Sequence, residues 1–191
     1  MLIILKIFRF FLHIYDLPFI INSSEFGRNS YIGFGYRMLF SNKKGVIVGD
    51  HVSVGENATI QTVESREITP ILSIGDHTMI GKDFFASSSS SINIGKNCMF
   101  SWRVTILDHD HICERVDLPI HTQGTTKGKA VSIGDGTFIG VGAVILKGVH
   151  IGKGCVIGAN SVVTKSFPDY SVIGGIPAKL IKVKKNRRYE N

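Results

Sequence analysis

Aliphatic residues recur along this chain at a spacing of six, not at the two of a strand or the 3.6 of a helix. An aliphatic residue followed by Gly stands at Val48-Gly49, Val54-Gly55, Ile74-Gly75 and Ile80-Gly81. The pair returns at Ile94-Gly95, Ile133-Gly134, Ile139-Gly140, Ile151-Gly152 and Ile157-Gly158, while Ile60, Phe100, Ile106, Ile145 and Val163 keep the phase without the Gly. Such self-similarity predicts a repeat architecture. A period of six fits a parallel β-helix with three short flat sides, each one hexad whose aliphatic residue points inward.

The other places of the hexad agree. The fourth holds His51, Asn57, His77, Asp83, Asn97, Gly136, Gly154 and Asn160, residue types that tolerate the positive φ a sharp corner demands. The fifth holds small or medium residues such as Val52, Ala58, Cys98 and Cys155, which suit a tight interior and make both cysteines core thiols.

One long interruption stands out. After Ile106 the hexads stop, and they resume near Val131; between lie Asp108-His109-Asp110-His111 and a segment of 19 residues, 112–130, carrying Pro119, Gly124 and Gly128. A long loop leaving a regular coil is more often functional than decorative. Leu107-Asp108-His109 echoes Gly49-Asp50-His51, so His109 occupies a fourth place and reads as a corner residue. His111 falls at the sixth place, where neighbouring hexads carry outward polar residues such as Ser53 and Thr105. Either imidazole suits a general base near neutral pH, and Asp108 or Asp110 can orient the ring. The His-x-His spacing also permits a metal ligand pair, although the later stretch V144-I-L-K-G-V-H-I-G offers His150 alone. A Ser run, Ser87 to Ser91, lies where Ile80 to Ile94 carries two residues more than the repeat requires; it reads as an irregular turn or, through Ser87 and Ser88, as part of an acceptor pocket.

Composition narrows the class. The 191 residues, 43% hydrophobic and 19% charged, supply one domain with a real core and exclude a largely disordered chain. Three Cys without a C-x-x-C pair argue against a zinc ribbon or disulfide framework and fit a reducing cytoplasm. The net charge of +7 is concentrated late, in Lys179, Lys182, Lys184, Lys185, Arg187 and Arg188. A basic tail meets polyphosphates, anionic lipid or simply water, and no stacking aromatics support nucleic acid. Residues 1–20 are apolar but interrupted by Lys6, Arg9, His13 and Asp16, too charged for a spanning helix and without a signal-cleavage site. The spacing predicts an amphipathic helix lying on a membrane surface or packed on the oligomer. The expected organisation is an N-terminal segment 1–28, a β-helix 29–166 with its loop at 112–130, and a C-terminal segment and tail 167–191.

This register, with the ending V156-I-G-A-N-S-V-V-T-K and V172-I-G-G-I-P-A-K, resembles the hexapeptide-repeat acyltransferases over roughly residues 30–183. It is most similar to the branch of maltose, galactoside and nodulation acetyltransferases and the O-acetyltransferases of O-antigens and capsules. The resemblance implies a left-handed coil, a homotrimer with sites at subunit boundaries, and acetyl-CoA as co-substrate without a metal. His111 lands where the sugar acetyltransferases carry their catalytic His, although Ile112 replaces the Pro that usually follows. The family's donor positions match Gly140, Val141, Ala159, Thr164 and Lys165, with Lys179 and Lys182 for the phosphates; Phe138 replaces a common Trp. The implied activity is transfer of an acetyl group to a sugar hydroxyl in polysaccharide synthesis, in the cytoplasm or on the inner membrane face. The alternatives are an amino-sugar, amino-acid or antibiotic acceptor, or a non-catalytic scaffold.

Overall fold

Residues 24–39, 45–63 and 71–185 are described by a computed structural model. The hexads form strands of two to four residues that turn one corner after another, so that neighbours within a sheet lie one coil apart in sequence. The result is a three-sided parallel β-helix with sheets of six, eight and six strands. Registers are repeat-exact. Val48 lies beside Ile74 in the first sheet, Phe100 beside Ile139 in the second, and Ile106 beside Ile145 in the third. Each of these side chains points inward and is at most 4% exposed, forming one continuous aliphatic stack. The all-β architecture is that of the left-handed β-helices.

The corners obey the predicted chemistry. His51, Asn57, His77, Asp83, Asn97, Gly136, Gly154 and Asn160 all have φ between 53° and 65°. Where Gly follows the inward aliphatic the coils approach too closely for a side chain: a Cβ at Gly75 would sit 2.7 Å from the Gly95 carbonyl carbon of the next coil. An acidic residue in the third place caps the neighbouring coil. The Asp76 carboxylate accepts the Asp50 N–H at 2.9 Å, and Asp135 accepts the Lys96 N–H at 2.7 Å. Cys98 and Cys155 are buried in the interior, and desolvation pushes both thiols above their ordinary range.

The coil is longer than 29–166 at both ends. Ser24–Phe26 already pairs with Val46–Val48, and Ser171–Gly175 pairs in parallel with Val156–Ile157. The chain then reverses at Pro177, and Ala178–Val183 returns antiparallel along the second sheet. The interior pattern continues there through Ile173, which the hexad spacing alone did not follow past Val163. The expected helix and membrane contact of residues 1–20, like Arg187 and Arg188, lie outside the described residues. Among the described residues no helix is long and apolar enough to cross a membrane.

Because Asn97 holds φ at 53° in such a corner, Asn97→Val should lower unfolding free energy by about 1–2 kcal/mol, while Asn97→Gly stays near wild type. Urea unfolding midpoints measure this. Equal losses in both variants would refute the corner argument.

Candidate functional site

The strand Thr105–Leu107 is the last regular element before the interruption. At the next residue the carboxylate of Asp108 turns inward and is fully buried. Its receptor is one coil earlier, in the two surplus residues of the Ser run. The backbone N–H groups of Ser89 and Ser90 each donate to Asp108 at 2.8 Å, and the Ser88 hydroxyl donates at 2.8 Å. The extra residues thus form a turn that presents amides to a carboxylate. Asp108 also accepts the Lys129 N–H on its carbonyl at 2.8 Å, so one residue ties both ends of the loop to the coil.

His109 completes this network, with Nδ1 2.8 Å from Asp108 Oδ1 and its side chain only 8% exposed. Facing an ionised carboxylate, Nδ1 carries the proton and donates. Burial on its own would raise the Asp108 pKa; His109, the amides of Ser89 and Ser90 and the Ser88 hydroxyl outweigh it and hold the carboxyl below its usual range. The corner reading of His109 does not hold: its φ is not positive, because its ring is drawn in toward Asp108 instead of turning a hexad.

His111 stands differently. It is exposed and forms an antiparallel bridge with Thr125, flanked by Thr126 N–H to the Asp110 carbonyl at 2.8 Å and Ile112 N–H to the Gly124 carbonyl at 3.0 Å. The Asp110 carboxylate is paired with Lys147 of the next coil. Both aspartates expected to orient a His are therefore engaged, Asp108 with His109 and Asp110 with Lys147. Beyond this two-stranded root, Gln123 holds the loop together by bonding Arg115 N–H and the carbonyls of Arg115 and Leu118. The loop leaves Val116, Leu118 and Ile120 exposed.

The donor positions fall into two groups. Gly140, Val141 and Ala159 stack at the corner between the second and third sheets, where the Asn160 N–H donates to the Val141 carbonyl at 2.8 Å. A Cβ at Gly140 would meet the Ala159 nitrogen at 2.6 Å, so the groove there is backbone-walled. Lys179 and Lys182 lie exposed on the returning strand of the second sheet. Thr164 and Lys165 lie past the far end of the third sheet, exposed, at the same edge as His109 and His111.

Ser87 and Ser88 do not line an open pocket. They are 2% and 0% exposed; Ser87 Oγ accepts from Gln61 Nε2 at 2.8 Å and Ser88 serves Asp108. His150 is bonded through Nδ1 to Ser132 Oγ at 2.8 Å. Among the described residues, no three His, Cys, Asp or Glu side chains converge to hold a metal.

Comparison with known proteins gives a consistent picture. Residues 71–100 and 130–165 match the family model described as the hexapeptide repeat of succinyl-transferase. A protein named as an acetyltransferase of Mycobacterium tuberculosis is 37% identical over 135 residues, which cover 71% of this chain and 43% of that protein. One of Dictyostelium discoideum, also named as an acetyltransferase, is 40% identical over 63% of this chain and 66% of its own length. The chain thus spans less than two thirds of each of these two. The protein of Escherichia coli named as the lipopolysaccharide biosynthesis O-acetyltransferase WbbJ is 28% identical over 84% of this chain and 71% of its own. Among solved structures, the N-acyltransferase AntD of Bacillus cereus, in complex with dTDP and 3-hydroxybutyryl-CoA, superposes with a TM-score of 0.73. It covers 90% of this chain and 88% of its own at 19% identity, a likeness of fold.

Asp108→Asn keeps the shape but removes the anion, and should cost about 2–3 kcal/mol at neutral pH. Because the folded-state pKa of Asp108 is depressed, its contribution is full above the unfolded carboxyl value of about 4 and is lost as pH falls through the folded value. Unfolding midpoints from pH 7 to pH 2 should show a shallower acid limb in Asp108→Asn. Parallel curves would contradict the network.

Proposed function

The chain belongs to the hexapeptide-repeat acyltransferase family, and on that premise we propose that it transfers an acetyl group from acetyl-CoA to a sugar hydroxyl, with His111 as general base. One observation carries this reading. Among the described residues the regular coil is broken by one long loop, and the break presents an exposed imidazole on the edge that also bears Thr164 and Lys165.

In the proposed reaction, the neutral imidazole of His111 takes the hydroxyl proton as the oxygen attacks the thioester carbonyl. The tetrahedral adduct then expels the CoA thiolate, which recovers that proton from the imidazolium. Atoms and charge balance without a covalent enzyme intermediate. Asp108 and His109 anchor the loop root, which keeps His111 at a fixed place on the edge. The long pantetheine arm needs a narrow groove, and backbone-walled Gly140, Val141 and Ala159 suit it, while Lys179 and Lys182 suit its phosphates.

This reading requires more than one copy. Gly140, Val141 and Ala159 are at one edge of the third sheet; Thr164, Lys165 and His111 are at the other. A single groove lined by both groups runs between adjacent copies, one edge supplied by each. A heterologous contact whose rotation closes makes a ring, and a homotrimer is the ring proposed. The exposed apolar residues of the loop, Val116, Leu118 and Ile120, also favour a neighbouring surface. Dependence on acetyl-CoA suits a cytoplasmic enzyme, and peripheral membrane contact through residues 1–20 would bring it to a lipid-linked glycan.

The likeness to WbbJ favours an O-linked polysaccharide acceptor, and the fold shared with AntD, which also binds dTDP-4-amino-4,6-dideoxyglucose, keeps a nucleotide-linked amino sugar as the second acceptor class. The 2.8 Å contact of Asp108 with His109 supports a second assignment, with His109 as base; its 8% exposure makes it the poorer partner for a hydroxyl.

CoA release from acetyl-CoA, measured across simple sugars, nucleotide sugars, lipid-linked oligosaccharide and antibiotic acceptors, tests the activity. His111→Ala should lose about 10²–10⁴-fold in kcat with CoA binding intact, and His109→Gln should lose less. A His111→Ala enzyme near wild type would transfer the role to His109. Absence of both CoA binding and release would leave a scaffold.

A further inference from the structure

Outward from the second sheet, at the corner opposite His111, the described surface carries a groove of about 410 Å³. Met79, Met99, Trp102 and Val141 line it with apolar surface, and Ser53 and Ser101 supply hydroxyl-bearing positions. Met79 and Met99 are register partners on adjacent strands and are 54% and 52% exposed; Trp102 is 58% exposed. Exposed side chains of this size grouped in one depression mark a binding surface more than a folding need.

The indole is held rather than loose. A Cβ at Gly81 would come within 2.7 Å of Trp102 Cδ1, so the ring edge seats on a glycine of the preceding coil. Lys82 Nζ lies 6.0 Å from the ring centroid and is itself tied to Glu56 at 2.8 Å. The Trp102 carbonyl accepts the Gly142 N–H at 2.9 Å, which joins this turn to the one that bears Val141. Trp102 therefore stands one coil before Val141, at the same corner.

We propose that Trp102 is the stacking platform for the acceptor, and that the groove takes a pyranose ring with its C–H face against the indole. This rests on the acyl-transfer reading, in which the thioester arm runs past Ala159 and Val141. The groove continues that path on the side of Val141 away from Ala159. Its chemistry matches a sugar, which has an apolar C–H face and a hydroxyl rim, better than it matches an aliphatic chain, which would leave Ser53 and Ser101 unused. It also separates two tasks on one chain. Trp102 and His111 flank the strand Thr105–Leu107 at opposite ends, so the platform of one copy meets the base of the next.

Trp102 is the only tryptophan of the chain, which makes the test direct. Acrylamide quenching of the intact full-length protein reports its accessibility. The probes are neutral oligosaccharides containing glucose, galactose and N-acetylglucosamine, added with saturating desulfo-CoA. The expected result is an accessible indole that at least one sugar class shields saturably. An indole already inaccessible without sugar would mean that another copy covers the groove, and would overturn the proposal. So would an accessible indole that no sugar protects.

With an acceptor that stimulates CoA release, Trp102→Ala should raise acceptor KM about tenfold, and Trp102→Tyr should restore most of it. KM for acetyl-CoA should stay within about twofold. A Trp102→Ala enzyme with unchanged acceptor KM would overturn the proposal. Titration calorimetry with CoA keeps the two claims apart. CoA binding without sugar shielding sinks the platform alone, whereas sugar shielding without CoA binding sinks the acyl-transfer reading and leaves the platform standing.

Discussion

The hydrogen bonds between successive coils are the constraint on which everything else depends. Each strand can pair with its neighbours only if every coil closes after the same three hexads, because a slip of one residue would turn the aliphatic stack outward. Extra residues have two outlets: a compact turn at a corner, or expulsion as a loop. This chain uses both, at the same edge and on adjacent coils. The surplus at Ser89 and Ser90 becomes a turn whose amides leave the sheet ladder for Asp108, and the surplus after Leu107 becomes the loop. Asp108 joins them. The fold's most regular feature thereby fixes where its irregular feature sits.

Charge gives the junction its strength. A carboxylate with no exposed surface is tolerable only when its oxygens are satisfied, and Asp108 receives two amides, the hydroxyls of Ser88 and Ser89, and an imidazole. Removing that anion would loosen the root of the loop on both strands, since the Asp108 carbonyl also holds Lys129. His111 lies just beyond this fixed point, exposed but confined by its bridge to Thr125. In the proposed mechanism a rigid anchor and an accessible base are separate residues. That division resolves the apparent redundancy of two histidines in a row of four residues.

The coil was legible from the chain because it is a periodic property: aliphatic residues, corner residues and core thiols each recur at a set phase, and any one of them predicts the rest. The site was legible only in outline. The loop announced itself as a break, but the partnership of Asp108 with Ser88, Ser89 and Ser90 joins residues about a coil apart and has no local signature. His109 was misread for a related reason, since its place in the repeat matched His51 and His77 while its environment did not. Ser87 and Ser88 looked polar and available, yet both belong to the frame. Trp102 carries no motif, and only the fold sets it beside Met79, Met99 and Val141. The sense of the coil and the donor positions came from family resemblance, not from spacing.

In the proposed enzyme a site is made where the broken edge of one copy meets the Val141–Ala159 corner of the next. Mixing two inactive proteins tests it most directly: His111→Ala, which keeps the donor corner, and Ala159→Trp, which fills that corner and keeps the base. After dissociation and reassembly at equal amounts, random boundaries should restore about a quarter of the wild-type rate of CoA release. A mixture that stays as inactive as its parents, with mixed oligomers shown by mass, would contradict a site shared between copies.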